Sequence, residues 1–318
     1  MKNSKRISAI LFCTILLGLA SCKKATSWDT PDPDAKQHNE DANNMKTESD
    51  NLNSEVNQLL NTVSGFGKNQ QTYSYSICGA TIDSSQVHNS TPTIIINFDG
   101  TTTCNSPSRI RSGSIKVELI NGTRWIDAGA KLRITHINYK VKFPSFNNHS
   151  LTFNGVKYLT NVDGINWLNY FLQGQVTAKL RERVYAMQVT FDNGTTASWS
   201  HARVTDWLLK AATNELSATV NADTTINGKN LDSWGTNRFG NDFTTEMVQS
   251  WHANSICGWW KPTAGIYKHT TQNFTVTGTF GVNSSGNQTS SGCAYGFKLE
   301  WNLTATNRSG TAVISYWW

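Results

Sequence analysis

The stretches "NFTVTGTFGV" (residues 273–282) and "YGFKLEWNLTA" (residues 295–305) decide the fold class. In the first, Phe274, Val276, Phe280 and Val282 share one face. In the second, Tyr295, Phe297, Leu299, Trp301, Leu303 and Ala305 do. Thr275, Thr277, Thr279, Lys298, Glu300, Asn302 and Thr304 take the opposite faces. Alternation with a period of two is the mark of a half-buried strand. Strands that are polar on one face belong to an antiparallel sheet covered on one side. Ser285-Gly286-Asn287 opens the first connection, Asn307-Arg308-Ser309-Gly310 makes the second, and "TAVISYWW" (311–318) completes a three-strand meander. Trp317 and Trp318 fall on opposite faces of that last strand, one expected inside and one outside.

The same grammar extends upstream. Asn-Gly and Asp-Gly pairs, the strongest short hairpin signals, stand at 99–100, 121–122, 154–155, 163–164, 193–194 and 227–228. "PTIIINF" (92–98) is a continuous apolar run suited to a central strand, and "SIKVELI" (114–120) alternates. In "KLRITHINYKVKF" (131–143) the apolar phase changes, from Leu132 and Ile134 to Ile137, Tyr139, Val141 and Phe143. A β-bulge produces such a change. "NFDGTTTC" (97–104) echoes "TFDNGTTASW" (190–199), as two hairpins of common grammar do. Around Trp207-Leu208-Leu209 the pattern suggests a short helix. The expectation is a mainly β fold, antiparallel sheets forming a sandwich or a large curved sheet, over residues 68–318, with a sub-boundary near 200–225.

Ahead of it lies one helical segment, 41–67. Met45, Leu52, Val56, Leu59 and Val63 make an apolar stripe at three- and four-residue steps, interrupted at Ser49, and Gly65 and Gly67 close it. Such a helix either pairs between chains or docks on the domain. The seam is only about three heptads long, which favours docking. Residues 22–40 are polar, with Pro31 and Pro33 in an Asp-rich run, and read as an extended tether.

The first 21 residues read as an export signal: Lys2, Lys5 and Arg6, then the short apolar run 8–19. That run is far below the ~20 residues a spanning helix needs. The segment ends Leu19-Ala20-Ser21-Cys22, which resembles the lipobox of bacterial lipoproteins. The resemblance implies cleavage before Cys22 and an acylated Cys22 that anchors the chain to a membrane. Lys23 and Lys24 follow where an inner-membrane retention signal would place aspartate, so the outer membrane is the expected address, with its periplasmic and surface faces both open. The stretches "TIIINFDGTTTC", "SRIRSGSIKVEL" and "GCAYGFKLEW" are similar to uncharacterised β-rich lipoproteins of Bacteroidota, a likeness that implies no activity.

Removing residues 1–21 takes three of the 28 basic side chains, so the working net charge is +3 rather than +6. No basic cluster with interleaved aromatics marks nucleic acid as a partner. With Cys13 in the signal and Cys22 acylated, Cys78, Cys104, Cys257 and Cys293 remain, an even set for an oxidising compartment. Three pairings are open. The sequential one, Cys78–Cys104 and Cys257–Cys293, is favoured because each pair flanks a local β unit.

Catalytic signatures are absent from the sequence. The seven histidines show no metal-ligand spacing, and there is no nucleophile elbow or phosphate loop. Asp99, Asp163 and Asp192 fall where Asp serves turns. No cofactor is expected. The compositional excess is tryptophan, twelve in all. "SWHANSICGWWKPTAGIY" (250–267) gathers Trp251, Trp259 and Trp260 in a loop pinned by Cys257 and offers them as candidate ligand-binding residues. Core packing is the competing explanation for these rings. The reading at this level is a membrane-anchored envelope lipoprotein that binds, with polysaccharide through the Trp loop as its sharper form. Assembly with an envelope protein or another copy is the alternative, and a hydrolase with a convergent site the more remote one.

Overall fold

The computed structural model describes residues 33–60, 62–63, 66, 76–104, 108–144, 149–164, 174–258, 261–289, 292–304 and 307–316. Among the described residues one helix, α1 (Pro33–Leu60), precedes fifteen strands. The strands are β1 (Ala80–Asp83), β2 (Thr93–Cys104), β3 (Arg109–Asn121), β4 (Ala130–Phe143), β5 (His149–Asn161), β6 (Gln175–Phe191) and β7 (Thr196–Lys210). There follow β8 (Glu215–Ala222), β9 (Thr225–Ile226), β10 (Lys229–Thr236), β11 (Asp242–Asn254), β12 (Ala264–Thr271), β13 (Phe274–Val282), β14 (Gly296–Leu303) and β15 (Arg308–Ser315).

All strands belong to one antiparallel sheet whose order follows the chain. β8 and β10 lie end to end in a single track. β7 pairs with β10 over 198–201 and with β8 over 203–210, and β11 does likewise from the other side. The short β9–β10 hairpin interrupts that track at Asn227-Gly228, both in the left-handed region as a type I′ turn requires. The result is a thirteen-track up-and-down meander in one continuous sheet, within the expected mainly β class. The sheet runs on through residues 200–225 without a break.

α1 docks on the concave face. Met45, Leu52, Val56, Leu59 and Leu60 are buried against Ile94, Ile96, Ile115, Val117, Leu132, Ile134 and Val141 in one continuous core. The helix starts at Pro33, eight residues before the expected Asp41, so residues 33–40 belong to the helix and not to a tether. Proline fits a first helical turn, where its missing N–H costs nothing. It ends at Leu60, short of the expected 67.

Bulges let the sheet curl. β4 carries extra residues at Ile137–Asn138, β6 at Tyr185–Ala186, β11 at Val248 and β13 at Gly281. Asn138 and Ala186 have positive φ, and Ile137, Tyr185 and Val248 are turned outward. The bulge expected in 131–143 is present, but Ile137 is its exposed residue, and the buried partners are His136 and Tyr139.

Three other expectations are corrected. Asp99-Gly100 and Asn154-Gly155 are irregularities inside β2 and β5, not hairpin turns. The Asp99 carboxylate accepts from the Thr101 and Thr102 backbone N–H groups, so it serves a local kink. Trp207, Leu208 and Leu209 lie in β7, paired with β6 and β8, where two-sided pairing overrides the helical spacing. The expected C-terminal meander is β13–β15, in unbroken register between β14 and β15. Trp317 and Trp318 lie outside the described residues.

Candidate functional site

Two side-chain assemblies stand out on the concave face. The first is a polar seam beneath α1. Asp41, Glu48 and Glu55 recur every seven residues on the helix, beside the apolar row Met45, Leu52 and Leu59. Each acid meets arginine from the sheet. Asp41 takes a two-point contact from Arg238, Glu55 is gripped by Arg109 and Arg111, and Glu48 lies 3.8 Å from Arg109. Glu48 also accepts the Tyr139 hydroxyl. Deeper, Ser49 and Asn53 donate to Glu182, Lys157 lies 3.6 Å from Glu182, and Arg203 pairs with Asp232. Five basic groups (Arg109, Arg111, Lys157, Arg203, Arg238) match five acids (Asp41, Glu48, Glu55, Glu182, Asp232). The set is balanced in charge, as buried charge must be, although Glu48 Oε2 and the Nε atoms of Arg109 and Arg111 are buried without a hydrogen-bond partner.

Burial dominates the protonation of the seam. It raises Glu48 and Tyr139 and lowers Lys157. It pushes His38 down to about 4 and His136 to about 3, the latter helped by the Lys157 charge. His269, whose ring is tilted against that of His38 with centroids 4.6 Å apart, falls to about 3. Burial opposes ionisation of Glu182, but His201 and Lys157 override it and hold that carboxyl well below its usual range. A cavity of about 10 Å³ lies among Glu48, Ser49, His136, Tyr139, Lys157 and Trp199. That is the room one water needs. Lys157 donates to Ser49 Oγ at 3.1 Å, and Ser49 passes its own proton toward Glu182 at 3.2 Å. With lysine as donor and the serine proton on a carboxylate, this trio ties helix to sheet.

The second assembly is aromatic. Trp251 on β11 contacts Tyr267 on β12 and Phe280 on β13, with centroids 6.3 and 5.2 Å away. Phe280 reaches Phe297 on β14, and Phe297 reaches Tyr316 just past β15. All five rings are half-buried. Glycines make the row. A Cβ on Gly265 would come within 2.7 Å of the Trp251 ring, and one on Gly278 within 2.1 Å of Tyr267. The rings therefore lie across neighbouring backbone where no side chain stands. The indole N–H of Trp251 is buried without a hydrogen-bond partner. Lys46 of α1, paired with Asp50, sits 5.4 Å from the Trp251 ring centroid.

The row runs beside the expected loop. Tyr316 donates its hydroxyl to the Pro262 carbonyl, and the Cys257–Cys293 disulfide ties connection 255–263 to 283–295. Cys78–Cys104 closes the other expected pair. Of the candidate binding residues, Trp251 is a strand residue in the row and not part of a free loop, while Trp259 and Trp260 lie outside the described residues. Cys22 lies outside them too. Among the described residues, no three His, Cys, Asp or Glu side chains form a metal-binding group, and no helix is long and apolar enough to cross a membrane.

Sequence reasoning missed the seam and four of the five rings. The seven-residue spacing of Asp41, Glu48 and Glu55 was its only local signal. The glycines two strands away could not be matched to Trp251 and Tyr267 without the register. Comparison with family models, curated proteins and solved structures returned no match for this chain.

Proposed function

We propose that this chain is a lipid-anchored protein of the bacterial outer membrane, acylated at Cys22, whose folded part binds a saccharide. The aromatic row carries the reading. Rings seated over glycine backbone and tilted against one another offer apolar surface to the apolar side of a sugar, and the Trp251 N–H and the Lys46–Asp50 pair supply polar partners beside them. Four inter-strand steps of ~4.8 Å separate Trp251 from the β15 side, so the row is ~19 Å long, enough for an oligosaccharide rather than a single ring. The concave centre is filled by α1, which supports binding along the sheet beside the helix.

The test is a glycan array with the intact protein, followed by calorimetry on any hit. Trp251→Ala and Phe280→Ala are expected to weaken the hit at least tenfold with both disulfides and the β circular-dichroism signal retained. Binding that survives both substitutions, or no binding across a broad array, defeats the saccharide reading. Anchoring is tested separately: Cys22→Ser is expected to move the protein from the membrane to the soluble fraction.

A second reading, a partner in an envelope assembly, is favoured by β15, which has no strand on its outer side among the described residues.

A further inference from the structure

The thirteen-track path ends at β1 on one side and β15 on the other. A sheet edge presents unpaired N–H and C=O groups, and proteins blunt such edges with short strands, charge, proline or bulges. β1 is blunted: it is four residues long and begins two residues after Cys78, which is stapled to the end of β2 at Cys104. β15 is not. It pairs with β14 through eight successive residues without a register shift. Beyond Arg308 its sequence, Ser-Gly-Thr-Ala-Val-Ile-Ser, holds no charge and no proline. Ala312, Val313 and Ile314 are only half-buried, and among the described residues no strand lies on its outer side.

We propose that β15 joins two copies of this chain edge to edge, antiparallel, into one continuous sheet. Strand addition needs a partner with an equally open edge, and the molecule supplies one in its own β15. An antiparallel pair of identical strands is two-fold symmetric, so one patch serves both copies. Centred on Ala312, which then faces its own counterpart, the pairing sets Ser309 of each copy against Ser315 of the other and Arg308 against Tyr316, and no like charges oppose. Val313 and Ile314 then lose their remaining exposure on both copies. The inference does not depend on the saccharide reading, because β15 lies beyond the four strands that carry most of the aromatic row.

The experiment is cysteine cross-linking of the full chain in its membrane. Opposed residues in an antiparallel pair sit ~4.5–5.5 Å apart at Cα, within disulfide reach. Ala312→Cys, the one position that faces its own copy, is expected to give an oxidant-dependent, reducible dimer at twice the chain mass. Asn302→Cys, exposed on β14 one strand inward, is the control, and every variant keeps Cys22. Sedimentation of the detergent-solubilised wild type gives the fold-independent arm: a dimer is expected, and Thr311→Lys is expected to make it a monomer. Equal cross-linking at Asn302, no dimer at Ala312, a monomeric wild type, or cross-linking to a different protein would each overturn the proposal.

Discussion

Acidification should open the seam between α1 and the sheet. His38, His136 and His269 are buried neutral, at about 4, 3 and 3 against an ordinary value near 6.5. A lowered histidine is uncharged in the folded chain and takes up its proton on unfolding. Its contribution is therefore intact above the unfolded value and is lost as pH falls toward the folded one. Each such group costs ~1.4 kcal/mol per pH unit inside that window. Going from pH 7 to pH 5, three of them remove ~5–6 kcal/mol, against a typical total of ~5–15 kcal/mol. The groups facing them do not cancel this. His38 meets His269, and Asp41 of the next turn is occupied by Arg238. His136 faces Lys157, which disfavours its charge, and Glu182, which is committed to Lys157 and His201. Glu48, raised by burial, works in the opposite direction, because as pH falls the folded chain takes up its proton before the unfolded chain does. Urea unfolding followed by tryptophan fluorescence at pH 7, 6, 5.5 and 5 measures the loss. His136→Gln should flatten the slope by ~1.4 kcal/mol per pH unit. A stability that changes by less than ~1 kcal/mol between pH 7 and 5 would refute the burial argument.

Further outcomes follow from the packing. Leu52→Ala, at a fully buried position of α1, should cost ~3–5 kcal/mol in chemical denaturation. Glu55→Ala strips the shared partner of Arg109 and Arg111 and should cost ~3–5 kcal/mol, whereas replacing all three with apolar residues of similar size should recover much of that. Gly235→Ala places a Cβ 2.0 Å from the Ser198 carbonyl at positive φ and should lower the melting temperature more than Gly194→Ala, where nothing lies within 4 Å. Reducing Cys78–Cys104, which closes a 26-residue separation, should cost ~3–4 kcal/mol by loop-closure reasoning and fray β1 first in hydrogen exchange.

Much of the architecture is legible in the sequence because it is local. Alternation in 273–305 names β13 and β14, and Asn193-Gly194 and Asn227-Gly228 name two real hairpins. The same dipeptide at 154–155 misleads, because Gly155 lies mid-strand between the bulges of β4 and β6, where a Cβ would come within 2.9 Å of the Met187 sulfur. The helix stripe reads as docked, and it is, but its polar half could not be seen. Asp41, Glu48 and Glu55 look like a solvated face until Arg238, Arg109 and Arg111 are brought to them across up to 197 residues. The aromatic row depends on the same long-range information. Trp251 is visible as a tryptophan, whereas the glycine beneath it becomes meaningful only once β11 lies beside β12.

The order in which α1 meets the sheet has a mechanical consequence. A pull on the chain ahead of Pro33 reaches the helix first and the strands last. The Asp41–Arg238 contact lies nearest that end, Glu48 and Ser49 come next, and Glu55 with its two arginines lies farthest along. Tension applied there would peel the helix away one contact at a time, an unzipping that needs little force at each step. The sheet would stay folded behind it, with its concave groove uncovered and its arginines exposed.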